Sequence, residues 1–242
     1  MPMMGTLYIV ATPIGNLEDI TVRAIKTLFS VDYIACEDTR RSGQLLQNLE
    51  SGIMNHEFDI NILKKPRLIS YYDEVEAVKT PEIIDILENG NDVALVSDAG
   101  TPLISDPGYK LVRECAKRDI KVVSIPGATP VISALVSSGL PANQFLFMGF
   151  LPKNKNKRIE LLKDTLYCFD TLESMRPTVI FFETVKRLEE SLLDIKEIFG
   201  DMEIVIAREL TKMHEEIWRG KISAAIKREF KGEIVVLFHL RS

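Results

Sequence analysis

Cysteine and histidine are scarce, with three of each among 242 residues. Cys36, Cys115 and Cys168 are odd in number and far apart, so they form neither a CxxC pair nor a metal-ligand spacing. In a reducing compartment such cysteines are buried small side chains rather than a redox pair. We therefore expect neither a disulfide framework nor a metal site.

The sequence also lacks a long hydrophobic run. Its apolar runs, such as the one at 178–182, stop far short of the about 20 residues that a transmembrane helix needs. The N-terminal segment MPMMG lacks the basic patch and apolar stretch of a signal peptide. We expect a cytoplasmic protein without a membrane partner.

Positive charge is not in excess, because 30 Lys and Arg face 35 Asp and Glu and the net charge is −5. A general nucleic-acid binder usually carries a basic face, so composition alone argues against one. Local basic clusters do exist: residues 153–158 hold four cations, and 64–67 form a weaker patch. The first cluster is either a solvated helix start or, beside an RNA-modifying site, a contact to the RNA backbone.

Several common motifs are missing as well. The sequence has neither the G-x-G-x-x-G of a Rossmann dehydrogenase nor the G-x-x-x-x-G-K-[ST] of a P-loop phosphotransferase. The G-x-S-x-G nucleophile elbow and the H-E-x-x-H zinc motif are also absent. These absences argue against a nicotinamide oxidoreductase and against the commonest phosphate-binding and hydrolytic enzymes.

Short apolar runs alternate with amphipathic stretches along the whole chain, which is typical of an α/β protein. The run at 93–96 has no polar alternation, so both faces of that strand should be covered. We predict strands at 6–11, 33–36, 67–70, 93–97, 121–125, 145–149, 178–182, 203–207 and 234–240.

A polar cap followed by proline predicts three helix starts, at Thr80-Pro81, Asp106-Pro107 and Thr129-Pro130, with Gly139 ending the last helix. The segment 126–130 (PGATP) is the best candidate for a hinge. We therefore predict an N-terminal α/β domain over 1–125 and a C-terminal α/β domain over 126–242.

Three loops rich in small residues lie between a predicted strand and a helix, at 11–16, 97–108 and 126–130. Loops at the carboxyl ends of strands form the ligand crevice of an open α/β sheet. One such loop alone is most simply a tight turn, but 12 residues at 97–108 are more than a turn needs. The residues themselves thus predict a small-molecule site built largely from backbone.

One family matches these segments. Residues 7–21, which read LYIVATPIGNLEDIT, strongly resemble the opening of the bacterial 16S ribosomal RNA 2′-O-ribose cytidine methyltransferases, a branch of the tetrapyrrole (corrin/porphyrin) methylase superfamily. The segments 37–40 (EDTR), 97–108, 149–152 (GFLP), 207–212 (ARELTK) and 231–233 (KGE) match in the same order. The resemblance covers nearly the whole chain.

The resemblance implies two α/β domains with a methyl-donor cleft between them and a homodimer. It implies S-adenosyl-L-methionine as donor, no metal, and a cytidine ribose in the decoding region of small-subunit ribosomal RNA, within the 30S subunit, as acceptor. By the same likeness, the donor is expected to contact Pro13, Gly100, Thr101, Pro102, Ile104, Ser105, Gly127, Ala128, Thr129, Ala207 and Gly232.

Transfer of a methyl group to a ribose hydroxyl calls for alignment of three atoms and for a base that accepts the hydroxyl proton. The candidate bases are Asp38, Asp73, Glu183, Glu209 and Lys212, although each could equally serve in an ion pair. Asp106 is a weaker candidate because it suits a helix cap. The candidate RNA contacts are Arg40, Lys153, Lys155, Lys157, Arg158, Arg187 and Arg208; Tyr71 and Tyr72 are candidates for base stacking or for the core.

Two other functions stay open. A relative within the superfamily could methylate a tetrapyrrole or a protein side chain. A non-catalytic ribosome-assembly factor is the other alternative, because 70–74 (SYYDE) lacks the histidine that family members often have there.

Overall fold

The computed structural model of the chain describes residues 4–54, 64–171 and 176–240. The chain divides into two compact units, Met1–Thr129 and Pro130–Ser242, whereas the sequence placed the boundary near residue 125. Each unit contains a five-stranded sheet and helices, so the α/β fold class is confirmed. Within the described ranges, no helix is both long and apolar enough to cross a membrane.

The first unit is built on a parallel sheet of order β3-β2-β4-β1-β5. All four residues of the sequence VALV in β4 are buried, which confirms that this strand is covered on both faces. The strands are β1 (Leu7–Val10), β2 (Tyr33–Cys36), β3 (Arg67–Ser70), β4 (Val93–Val96) and β5 (Val122–Ile125).

Successive side chains of a strand point to opposite faces of the sheet. Helices pack on both of these faces, and each face has its own apolar cluster. In β1, Leu7 and Ile9 pack into one apolar cluster, while Val10 packs into the other. The helices are α1 (Val22–Leu28), α2 (Thr39–Met54), α3 (Glu76–Glu88) and α4 (Tyr109–Lys117).

Two of the three predicted helix starts are wrong. Helix α3 begins at Glu76, and Pro81 lies inside it; the Thr80 hydroxyl donates to the Glu76 carbonyl at 2.7 Å instead of capping a helix. Helix α4 begins after Gly108, not at Asp106-Pro107. Its first N–H groups need an acceptor, and the buried Glu76 carboxylate supplies one: Oε1 accepts from the N–H of Gly108 at 3.0 Å.

The second unit has a mixed sheet of order β6-β7-β10-β8-β9, in which β6 and β7 are parallel and the other pairs antiparallel. Its strands are β6 (Phe145–Phe150), β7 (Thr178–Glu183), β8 (Glu203–Arg208), β9 (Glu216–Lys221) and β10 (Ile234–Phe238). Its helices are α5 (Pro130–Ser138), α6 (Lys155–Thr171), α7 (Val185–Phe199) and the short α8 (Ile222–Ala225). The predicted start of α5 at Pro130 and its end before Gly139 are confirmed.

The buried residues of α6 and α7 pack on one face of this sheet. Leu162 and Phe169 of α6 and Leu188 and Leu192 of α7 belong to a single apolar cluster with residues of β7, β8 and β10. This cluster packs α6 and α7 against the sheet. The loops that lead into the two helices therefore connect elements that are held in place by the core.

Candidate functional site

The three small-residue loops of the first unit leave the sheet side by side. They follow β4, β1 and β5, which are neighbours in one parallel sheet, so all three emerge at the same edge. Thr12 in the first loop and Gly100 in the second form a bridge between strands: the N–H of Thr12 donates to the carbonyl of Gly100 at 2.9 Å, and the reverse bond measures 3.1 Å. This edge is where an open α/β sheet binds its ligand.

Side chains also tie these loops together. The buried Thr12 hydroxyl donates to the carbonyl of Ser97 at 3.0 Å. The Thr101 hydroxyl donates to the carbonyl of Ala128 at 3.1 Å, which joins the second loop to the third. A Cβ on Gly127 would stand 3.0 Å from the Cβ of Ala11, so this glycine permits close approach of the third loop to the first. The three loops therefore form one hydrogen-bonded unit.

The backbone of the 97–108 loop is unusual. Leu103 and Ser105 have φ values of 73° and 68°, in the left-handed region that side chains other than glycine disfavour. Residues held in this region cluster at functional sites. Ile104 and Ser105 are exposed, whereas Pro102 is buried. The loop thus presents an apolar side chain and backbone groups to solvent from a rigid base.

Carboxylates gather at the same edge, at the ends of β2 and β4. Burial, together with the charges of Asp106 and Asp98, raises the pKa of Glu37 to about 7. Its Oε1 is buried and has no hydrogen-bond partner among the residues that the structure describes. Burial likewise raises the pKa of Asp106, with the charges of Asp98 and Asp73 acting in the same direction. This concentration of negative potential suits a cationic ligand.

Asp38 and Asp73 lie on this edge as well, in different surroundings. Arg40 donates to both carboxylate oxygens of Asp38, at 3.1 and 2.7 Å, and these bonds hold the pKa of Asp38 well below its usual range. The Arg40 side chain is itself 89% exposed. Asp73 is exposed and forms no ion pair with another residue that the structure describes.

The second unit brings its own predicted residues to one edge of its sheet. Glu183 ends β7 and Arg208 ends β8, and both pair with Ile234 at the start of the antiparallel β10. Ala207, Glu209, Lys212 and Gly232 therefore lie near this edge too, and so does the segment that follows β6, because β6 is parallel to β7. The predicted residues of the second unit thus lie at the edge of its sheet where β6, β7 and β8 end.

Glu209 and Lys212 are linked around Gly232. A Cβ on Gly232, whose φ is 87°, would lie 2.3 Å from Oε1 of Glu209. That oxygen accepts from the N–H of Glu233 at 2.9 Å, and this bond lowers the pKa of Glu209 despite partial burial. Lys212 Nζ lies 3.2 Å from Glu209 and 3.0 Å from Glu233. Burial would lower the pKa of Lys212, but these two carboxylates outweigh it and raise the pKa.

Glu183 is buried and fully engaged. Its carboxylate accepts from the N–H of Thr184 at 2.8 Å and from the hydroxyl of Ser191 at 2.6 Å. Arg187 lies 3.3 Å from the same carboxylate and donates to the carbonyl of Leu151 at 2.6 Å. Through these contacts Glu183 holds the first turns of α7 against the end of β7.

The seven predicted RNA contacts separate into two groups. Lys153, Lys155 and Lys157 are exposed, as is Arg40. Arg158 is 1% exposed, and its guanidinium bonds to Asp194 at 2.7 Å. The other two arginines also bond within the chain: Arg187 as described, and Arg208 to the carbonyls of Lys231 and His214 at 2.8 and 3.2 Å.

The two tyrosines also differ. Tyr71 is fully buried, with its hydroxyl 3.2 Å from both Glu76 and Thr80, so it belongs to the core. Tyr72 is 39% exposed and stays a candidate for base stacking.

Sequence reasoning overlooked Glu37, Glu76 and Asp194. Glu76 and Asp194 lie in no motif, and their importance depends on burial beside residues distant in sequence. Glu37 lies in the matched segment EDTR, but its burial could not be predicted from that segment. In the described part of the chain, no three His, Cys, Asp or Glu side chains are grouped so that they could hold a metal ion.

Comparison with known proteins identifies the family. A family model described as Tetrapyrrole (Corrin/Porphyrin) Methylases matches residues 6–226. The crystal structure of diphthine synthase aligns with a TM-score of 0.68 at 13% identity, covering 96% of this chain and 89% of that one. The uroporphyrin-III-C-methyltransferase from Thermus thermophilus aligns with a TM-score of 0.59 at 18% identity, covering 96% and 91%. The fold is that of the tetrapyrrole methylases.

Relatives of higher sequence identity show to which group of these methylases the chain belongs. The ribosomal RNA small subunit methyltransferase I of Thermotoga maritima is 47% identical over 238 residues, which cover 97% of this chain and 98% of that protein. The protein of the same name from Escherichia coli O157:H7 is 44% identical over 240 residues, covering 96% and 77%. The chain belongs to the ribosomal RNA small subunit methyltransferase I family.

Proposed function

We propose that this protein transfers a methyl group from S-adenosyl-L-methionine to the 2′-hydroxyl of a cytidine ribose in the decoding region of 16S ribosomal RNA. The observation that carries the proposal is the near-full-length similarity to small-subunit methyltransferases, combined with three joined loops at the carboxyl edge of a parallel sheet. The acceptor hydroxyl and its nucleotide rest on the motif resemblance.

The loops of the first unit fit the donor. S-adenosyl-L-methionine, when bound, supplies a methyl group carried on a cationic sulfonium. The exposed Ile104 offers an apolar wall, and the exposed Ser105 and Gly127 offer backbone that a ligand can approach closely. Glu37, Asp98 and Asp106 supply negative potential at the same edge, which favours a cation over a phosphate-bearing cofactor.

We assign the proposed donor contacts as the sequence predicted them. In the first unit these are Pro13, Gly100, Thr101, Pro102, Ile104, Ser105, Gly127, Ala128 and Thr129, and in the second unit Ala207 and Gly232. Thr12 joins them as a positioning residue, because its hydroxyl and backbone hold the first two loops together.

The exposed cations around the start of α6 fit the RNA backbone. Lys155 and Lys157 lie in the first turn of α6, where the helix dipole already disfavours positive charge. Asn154 caps this turn by accepting from the N–H of Lys157 at 3.2 Å. A helix start that carries extra cations against its own dipole is suited to bind an anion such as a phosphate. Lys153, which precedes this turn, and Arg40, which belongs to the first unit, complete the proposed set of RNA contacts.

The chemistry needs positioning and one proton acceptor. The ribose oxygen forms a bond to the methyl carbon as the carbon–sulfur bond breaks, and the hydroxyl proton passes to a base. Lys212 is a poor base because its raised pKa keeps it protonated, and Asp38 is a poor one because Arg40 holds it. Among the five predicted bases, the exposed Asp73 is the one that no ion pair to a described residue restrains.

We further propose that the protein acts as a cytoplasmic homodimer on the 30S subunit. Light scattering coupled to size exclusion tests the assembly, because a dimer has twice the 27.4 kDa mass of the chain. A mass of a single chain at all protein concentrations would refute the dimer and leave the proposed reaction untouched.

The test of the reaction is methyl transfer from labelled S-adenosyl-L-methionine to 30S subunits that lack the modification. RNA digestion then locates the label, and a 2′-O-methylated cytidine in the decoding region is the expected result. A tetrapyrrole precursor and bulk protein serve as competing acceptors. Label on one of these would replace the proposed acceptor, and donor binding by calorimetry without any transfer would support a non-catalytic assembly factor.

A further inference from the structure

We propose that Arg158 and Arg187 are positioning residues that fix the backbone of 151–153 and so set the places of Lys153, Lys155 and Lys157 for the RNA. The inference rests on the proposed function, since it assumes that the lysines bind the phosphates of the RNA. It assigns these two arginines to a different role from the phosphate contacts that the sequence suggested.

Arg158 reaches the segment from α6. Its Nε and Nη2 each lie 2.7 Å from Oδ2 of Asp194 on α7, and both side chains are almost fully buried, at 1% and 4% exposed. The remaining nitrogen, Nη1, donates to the carbonyl of Pro152 at 3.3 Å and to that of Lys153 at 3.5 Å. Asp194 therefore orients the guanidinium so that its free end faces the segment.

Arg187 reaches the same segment from α7. Its Nη2 donates to the carbonyl of Leu151 at 2.6 Å and contacts that of Pro152 at 3.4 Å. The buried Glu183 carboxylate, 3.3 Å away, holds this guanidinium in turn. The carbonyl of Pro152 thus receives a donor from each arginine, and each arginine is held by its own buried carboxylate.

The segment needs such donors because it has no regular structure of its own. It lies between the end of β6 at Phe150 and the start of α6 at Lys155, where neither a sheet ladder nor a helix satisfies its carbonyls. Without fixed donors, the mutual repulsion of three nearby lysines would favour other arrangements of the chain. The two guanidinium groups hold it in one arrangement and keep the lysines exposed.

Stability alone is a weak explanation for the buried Arg158–Asp194 pair. Desolvation of two buried charges offsets most of their attraction, and replacement of both partners by apolar residues is often neutral or stabilising. Asp194 also lies 3.8 Å from Nζ of Lys155, and Arg158 lies 3.7 Å from Glu190, but both of these partners are exposed to solvent. The double variant Arg158→Met with Asp194→Leu removes the two buried charges together and leaves no buried charge unpaired. It is expected to fold, yet it lacks the donors to Pro152 and Lys153.

The experiment measures the equilibrium Kd of the protein for 30S subunits over a range of salt concentrations, together with the Kd for S-adenosyl-L-methionine and the Tm. For the double variant we expect a Tm no lower than that of the wild type, an unchanged donor Kd and a Kd for 30S raised about tenfold. The slope of log Kd against log salt should become shallower, because fewer lysines reach phosphates.

Lysine variants calibrate this result. Lys153→Ala, Lys155→Ala and Lys157→Ala combined should reduce the salt slope by about 2, from about 0.7 for each lost contact to unpaired RNA. Lys163→Ala is the matched control, since Lys163 is an exposed lysine further along the same helix, and it should leave both Kd values unchanged. Arg187→Lys, which keeps a cation beside Glu183, should weaken 30S binding less than Arg187→Met.

Three outcomes would overturn the inference. A stable double variant with the Kd and salt slope of the wild type would show that the arginines do not place the lysines. A lowered Tm together with raised Kd values for both the donor and the 30S subunit would show a general role in folding. A wild-type protein that neither binds nor methylates 30S subunits would refute the proposed function itself, and the inference would fail with it.

Discussion

Thr12 and Gly100 exchange two backbone hydrogen bonds, of 2.9 and 3.1 Å, although 88 residues separate them in the chain. The bridge joins the loop after β1 to the loop after β4, and the Thr12 hydroxyl reinforces it through the carbonyl of Ser97. The proposed donor site therefore depends on contacts between loops as well as on the residues that face the donor.

Replacement of Thr12 by Val tests this dependence. The substitution keeps the shape of the side chain but removes the buried donor to Ser97, which should lower the unfolding free energy by about 1 kcal/mol. The donor Kd should rise severalfold, as measured by calorimetry. Thr171→Val removes an exposed hydroxyl that bonds within α6 and should change neither value; a donor Kd that stays constant in both variants would contradict the role of Thr12.

Replacement of Gly232 by Ala tests the close contact with Glu209. The new Cβ would overlap the Glu209 carboxylate at a φ of 87°, so both backbone strain and displacement of Glu209 are expected. Gly200→Ala is a matched control, because its φ is 82° and its Cβ would meet nothing within 4 Å. We expect a loss of about 1–3 kcal/mol at Gly200 from strain alone, because its φ of 82° and ψ of −177° lie in a region nearly restricted to glycine, and a clearly larger loss at Gly232, measured by denaturant unfolding. Equal losses would mean that Glu209 moves aside freely.

Replacement of Lys212 by Arg tests whether Lys212 acts as a positive charge or as the base that accepts the proton. Since the raised pKa of Lys212 keeps it protonated, an arginine, which is always charged, should retain most activity, whereas Lys212→Met should lose more than tenfold in kcat/KM. Methyl transfer to 30S subunits is the measurement. Equal inactivity of the Arg and Met variants would contradict the expectation that a positive charge at position 212 is sufficient.

Glu37 should make stability depend on pH. Its pKa is raised from 4.5 to about 7, so between these values the folded protein holds a proton that the unfolded chain has released. This contribution is fully present below about pH 4.5 and is lost as the pH rises towards 7, so the unfolding free energy falls across that window. Glu37→Gln cannot ionise, and we expect it to lack this fall and to be more stable than the wild type above pH 7.

The measurement is denaturant unfolding at a series of pH values. Glu114→Gln is a control of opposite sign, because hydrogen bonds from Arg118 and Lys117 lower the pKa of Glu114. Its substitution should give no gain in stability at high pH. A Glu37→Gln protein whose stability follows the wild-type pH curve would contradict the assigned burial of this carboxyl.

The strands of the fold were largely predictable, because short apolar runs between glycine- and proline-rich loops mark buried strands directly. Nine of the ten strands coincide with predicted runs. The exception, β9 (Glu216–Lys221), is a half-buried edge strand with the sequence EIWRGK, in which neither an apolar run nor strict alternation is present. The early start of α3 was not predicted because Thr80-Pro81 suits a helix start, whereas the helix begins at Glu76 after Val75, which makes no side-chain cap hydrogen bond.

The sequence by itself determined the α/β class, the three loops that follow β1, β4 and β5, and the motifs that place the chain in its family, because each is written in consecutive residues. Only the tertiary structure decided which of the four cations at 153–158 face solvent. Arg158 is buried because Asp194, 36 residues further on, receives its guanidinium, and the three lysines are left exposed. Burial and ion pairing depend on neighbours in space, and these neighbours cannot be inferred from the local pattern of charges in the sequence.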